Sequence, residues 1–105
     1  MAWIIVCAAG CLEVVWAFSM KQSPGFSRLV PSVITGVAML LSFAGLAWSM
    51  RVLPLGTAYT VWTGIGAVGA FAAGVVFLGE AASPLRLGAA ALILAGIILM
   101  KLSSP

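Results

Sequence analysis

Among the side chains of this sequence able to trade a proton for a cation, one stands where neither is easily lost: Glu13, the single ionisable group in the apolar run over residues 2–20. A carboxylate near the centre of a bilayer costs about 2.5–3.5 kcal/mol on insertion scales. The group therefore needs a proton, which a low dielectric favours, or a bound cation. Both ligands compete for the same oxygens, so a site that takes them in turn exchanges one for the other. The second acid, Glu80, sits with Arg86 around Pro84 and reads as part of a solvated loop. With no His and two acids in the whole chain, a metal centre of ordinary ligand type has almost nothing to build from, and no cofactor is expected.

Helical spacing selects the neighbours of the acid. Residues three and four away share its face, which puts Gly10 and Ala9 on one side and Trp16 and Ala17 on the other. Small residues leave room beside the carboxyl, and Trp16 offers an aromatic wall. Ser42 is the most central polar group of the second apolar run, and its hydroxyl can donate to a carboxylate. In the third run Tyr59, Trp62, Thr63 and Gly66 recur at helical spacing as a polar and aromatic stripe. Tyrosine O–H and tryptophan N–H need acceptors when buried, and aromatic faces attract cations. Gly64, Gly66 and Gly69 follow closely and predict a hinge or a close helix approach, with Gly64 and Gly66 as the hinge positions. The fourth run is rich in small residues, among them Ala89 and Gly96, and is assigned to packing against a second copy. Trp3 and Trp48 read as interfacial anchors and Lys101 as a snorkelling end residue.

The elements that position these groups follow from composition. Of 105 residues, 64% are hydrophobic and 7% charged, which marks an integral membrane protein with no polar stretch left for a second domain. A single four-helix domain over residues 1–105 is expected. Apolar runs cover residues 2–20, 29–50, 57–78 and 85–102, each roughly 18 to 22 residues and so long enough for a 30 Å core. The expected fold is an all-α antiparallel bundle with both termini on one side. The net charge of +3 comes from basic residues spaced singly at run ends, which does not make a nucleic-acid surface. One side collects Lys21, Arg28 and Arg86, the other Arg51, Lys101 and the amino terminus, so the positive-inside bias nearly cancels. Such a chain can insert both ways, and two opposite copies form an antiparallel, dual-topology homodimer. Four short helices are also few for enclosing a cation path. A transporter, rather than an enzyme, is the expectation.

The assembled motifs resemble the small multidrug resistance family of bacterial transporters over essentially the whole chain. They are Leu12-Glu13-Val14, Gly25-Phe26-Ser27-Arg28-Leu29 with Pro31-Ser32, and Leu53-Pro54-Leu55-Gly56-Thr57-Ala58-Tyr59 leading to Val61-Trp62-Thr63-Gly64-Ile65-Gly66. The resemblance implies a proton-coupled exporter working as an antiparallel homodimer in the bacterial inner membrane. Glu13-Val14-Val15-Trp16, Trp62-Thr63-Gly64-Ile65-Gly66, Met39 and Lys101 look like the branch that exports guanidinium. By position, the resemblance makes Glu13 the shared acceptor of proton and substrate, Ser42 and Trp62 its hydrogen-bond partners, and Trp16 and Tyr59 the rest of the pocket. A polyspecific exporter of quaternary ammonium and aromatic cations is the alternative within the family.

Overall fold

The computed structural model describes residues 1–103; Ser104 and Pro105, which the sequence places beyond the last span, lie outside the described residues. Four helices account for most of the chain: α1 (Ala2–Gln22), α2 (Leu29–Ser49), α3 (Leu55–Leu78) and α4 (Pro84–Ser103). They contain 21, 21, 24 and 20 residues, and each is long and apolar enough to cross a membrane. The molecule is a slab of 43 × 34 × 17 Å, whose long dimension matches a bilayer with its headgroups.

Punctuation in the sequence ends each helix. Between α1 and α2 the buried hydroxyl of Ser23 accepts from the Arg28 amide at 2.8 Å and donates to the Arg28 carbonyl at 3.0 Å. That brace holds a tight turn in which Gly25 takes a φ of 63°, a conformation that glycine adopts without cost. Pro54 precedes α3, where its missing N–H is not needed. Gly79, with a φ of 69°, closes α3 in the left-handed conformation, and the Glu80 amide reaches back 3.1 Å to the Gly74 carbonyl. Pro84 opens α4, and the Ser83 hydroxyl accepts from the Arg86 amide at 3.3 Å.

The helices alternate in direction, as their contacts show. Ser42 meets Ala9 and Ser49 meets Ala2, so α2 runs back along α1. On α3, Ile65 faces Gly10, Gly66 faces Glu13 and Gly69 faces Val14, so α3 runs with α1; Tyr59 and Thr63 share a groove with Gly96 and Met100 while Phe71 shares one with Arg86 and Ala89, so α4 runs against α3. The core is the contact of α1 with α2 and α3: Val6, Ala9, Leu46, Ala58, Val61 and Trp62 are buried there.

The expected bundle is realised unevenly. α1, α2 and α3 form the packed body, while the α4 backbone approaches α3 alone and none of its residues is buried. The reason is shape: α4 meets the body through a few side chains, with Ile97 and Ile93 over Gly64 and with Ile97 and Met100 against the core. Its reach to α1 is through side chains near one membrane face, where the Lys101 ammonium lies 4.6 Å from the centre of the Trp3 ring. Lys101 therefore caps an aromatic face as well as standing at a run end.

Candidate functional site

Glu13 lies on the α1 face that meets α3, one helical turn beyond the closest approach of the two helices. That approach is set at Gly10, where a Cβ would meet the Ile65 side chain at 2.8 Å and the Trp62 carbonyl at 3.4 Å. Gly10 thus lets two backbones come together; it packs against α3 instead of leaving space beside the acid. One turn on, the Glu13 carboxyl occupies the volume that a side chain at position 66 would fill. Gly66 is buried because the acid covers it. α3 is a single uninterrupted helix through Gly64 and Gly66, and both glycines have a packing role here, Gly66 under the acid and Gly64 under Ile97.

The carboxyl is half-buried, and its Oε1 is shielded from solvent with no hydrogen-bond partner among the described residues. The same holds for Nε1 of Trp16, one turn along α1. An acceptor and a donor left unsatisfied in this way cost roughly 1–3 kcal/mol each. The neighbourhood is therefore stabilised by anything that supplies a proton or donors to the acid.

Ser42 and Trp62 are brought together, in an order the sequence did not suggest. Trp62 Nε1 donates to Ser42 Oγ at 2.9 Å, and Ser42 Oγ donates to the Ala9 carbonyl at 2.7 Å. Both were expected to donate to Glu13. An indole has one N–H and a hydroxyl one O–H, and each is used here in bracing α2 and α3 to α1. The hydroxyl of Ser42 also passes over its own helix, unlike Thr35 and Ser49, which donate to the carbonyls four residues back.

An aromatic chain surrounds this brace. Trp16 meets Phe43 edge-on at 6.3 Å between ring centres, Phe43 meets Trp62 at 5.8 Å, and Trp62 meets Tyr59 at 5.7 Å with planes 39° apart. The rings come from three helices and link Trp16 to Tyr59 through Phe43. Phe43 was missed: in a run of apolar residues an aromatic carries no signal beyond its place next to Ser42. Trp62 is buried, whereas Tyr59 is 52% exposed. Thr63 turns away from the acid into the groove between α3 and α4, which Gly96 also lines. Ala89 lines a neighbouring groove between the same two helices.

Four membrane-length helices, with a carboxyl set between α1 and α3, define a multi-pass membrane protein. The chain belongs to the small multidrug resistance family: the family model described as Small Multidrug Resistance protein matches residues 1–94. It is 62% identical over 104 residues to a protein of Escherichia coli (strain K12) named guanidinium exporter, with 99% of each chain covered. Proteins of the same name from Citrobacter freundii and Salmonella typhimurium are 60% identical over the same length, again with 99% of each chain covered.

Proposed function

We propose that this protein exports guanidinium and small substituted guanidines across the bacterial inner membrane in exchange for protons, as an antiparallel, dual-topology homodimer. The observation that carries this reading is the Glu13 carboxyl, seated on Gly66 within the membrane body with a shielded oxygen that lacks a donor. Guanidinium is planar, permanently charged and rich in donors, so it fits a carboxylate bordered by flat rings. A proton satisfies the same oxygens and excludes the cation. Coupling is then competition: the deprotonated acid takes guanidinium on the cytoplasmic side, the site becomes accessible from the other side, and protons displace the cation there.

The dimer is supported by the shape of one chain. A slab 17 Å thick is less than two helix diameters deep, so one copy cannot close around the acid. Tyr59 stands half exposed at the groove between α3 and α4, α4 has no buried residue, and the small residues Ala89 and Gly96 line the grooves on its α3 side, where they leave room for a helix of the second copy. A second Glu13 near the first makes the two acids titrate as a pair. Rearrangement between the two accessible states is assigned to the glycine-rich stretch of α3 at Gly64 and Gly66.

Purified protein in liposomes tests the proposal. A guanidinium jump is expected to drive proton flux in the wild type, with half-saturation moving to higher guanidinium as pH falls, and Glu13→Gln is expected to abolish it. Guanidinium flux still driven by a proton gradient in Glu13→Gln would overturn the mechanism. Larger currents with tetraalkylammonium ions than with guanidinium would instead support the polyspecific alternative.

A further inference from the structure

A second chamber lies beyond the Glu13 site, toward the membrane face that carries Lys21 and Arg86. Its volume is about 270 Å³, and its walls include Ala17, Lys21, Ala70, Phe71, Glu80 and Arg86. Ala17 follows Glu13 by four residues on the same helix face, and Ala70 follows Gly66 by four. At 1.5 Å per residue the inner wall is about 6 Å along the helix axis from the acid. The outer wall is the exposed loop after α3 and the start of α4.

Two local structures aim charged groups into this chamber. The left-handed turn at Gly79 carries Glu80 back over α3, where its carboxyl lies against Gly74 in the place of the missing Cβ. The Ser83 cap fixes the backbone at Arg86, whose guanidinium carbon stands 5.1 Å from the centre of the Phe71 ring. Glu80 and Arg86 are exposed, as expected of a solvated loop, and in addition both side chains lie against α3.

The chamber thus already seats a guanidinium group, the one on Arg86, against an aromatic face and in the same cavity as a carboxylate. A free guanidinium ion seeks the same surroundings. Lys21 and Arg86 together outweigh Glu80, so a cation is repelled while Arg86 is in place. With Arg86 withdrawn, Lys21 and Glu80 balance and the Phe71 ring is bare. Arg86 also borders the adjoining groove of about 170 Å³ between α3 and α4, lined by Ala67, Ala89 and Ile93, so the side chain has a second place to rest.

We infer that the chamber between Phe71 and Glu80 is a peripheral site for guanidinium-type cations on the path to Glu13, and that Arg86 is its tethered occupant, displaced by the incoming ion. The inference takes the identity of the cation from the proposed function. Lysine at position 86 would not reproduce the plug, because its ammonium lacks the planar group that stacks on a ring.

Equilibrium dialysis of isotopically labelled guanidinium against purified full-length protein in lipid nanodiscs provides the test, with Glu13→Gln as the background that silences the central site. Glu13→Gln/Arg86→Gln is expected to gain saturable binding at least tenfold above Glu13→Gln, and adding either Glu80→Gln or Phe71→Leu is expected to remove the gain. Equal binding by Glu13→Gln and Glu13→Gln/Arg86→Gln would overturn the peripheral site, as would a gain that survives both further substitutions. The central site is judged separately, by loss of binding from wild type to Glu13→Gln: no loss counts against the proposed function and leaves the Arg86 comparison standing.

Discussion

At the scale of single residues, the site is organised by what each polar atom has left to give. Ser42 and Trp62 spend their hydrogens on the interhelical brace, and among the described residues the buried side-chain atoms left without a hydrogen-bond partner are Glu13 Oε1 and Trp16 Nε1. Guanidinium carries donors and no acceptor, so it can satisfy the acid and not the indole of Trp16, whose N–H needs an acceptor such as a carboxylate or carbonyl oxygen. The brace is testable by itself. Ser42→Ala leaves the buried indole N–H without an acceptor and should destabilise the fold by about 1–3 kcal/mol. In a Trp62→Phe background the indole is gone, and the penalty for Ser42→Ala should shrink by about 1 kcal/mol. Unfolding of the four variants in bicelles reads this coupling, and equal penalties in both backgrounds would contradict it. That Ser42 and Trp62 are the polar groups at depth was legible in the sequence, and the structure brings these two together, bonded to each other and to Ala9 and not to Glu13. Which atom bonds which was not legible, since the choice between the acid and the Ala9 carbonyl depends on the offset between helices.

At the scale of elements, the contact between α1 and α3 decides where the acid can be. Gly10, Gly66 and Gly69 each remove a side chain where the other helix arrives, and in a membrane such close approach is a main source of helix association. The three differ in what a methyl would strike. At Gly10 it meets Cγ2 and Cβ of Ile65, the latter fixed to the α3 backbone, and at Gly69 it meets Cγ2 of Val14; at Gly64, which faces α4 instead, it meets the flexible tip of Ile97, which can shift. At Gly66 it takes the place of the Glu13 carboxyl itself, so the functional group of the proposed site has to leave its seat on α3. Gly66→Ala is therefore expected to reduce guanidinium-driven proton flux at least tenfold, with Gly64→Ala much milder. Gly56→Ala is the control: nothing lies near its Cβ position, and helix propensity favours alanine by about 1 kcal/mol. Flux in Gly66→Ala equal to that in Gly56→Ala would show that the acid does not depend on this seat. Helix bounds were readable to within about two residues from apolar runs and from Pro and Gly. The looseness of α4 was not, because its apolar run is as continuous as the others and hydropathy does not distinguish a lipid-facing helix from a packed one.

At the scale of the molecule, charge and thinness point the same way. The end that holds Lys21, Arg28 and Arg86 and the end that holds Arg51, Lys101 and the amino terminus carry three positive groups each, which leaves no bias to fix an orientation during insertion. The proposed partner would bring a second copy of the same face to a thin slab whose acid is half-buried, and a pair in opposite orientations would set the two glutamates at similar depth on either side of the two-fold axis. One added charge should then decide the topology. Ser27 and Val52 are exposed residues in the turns at opposite ends, so Ser27→Lys and Val52→Lys bias the chain in opposite senses without touching the core. Each variant expressed alone is expected to insert in one orientation and to lose guanidinium resistance in cells, while co-expression of the two restores it. A reporter fused to the carboxyl terminus reads orientation independently of function. Full resistance from either variant alone, with the reporter on one side of the membrane, would mean that the working unit is built from parallel copies, and the antiparallel dimer would have to be abandoned.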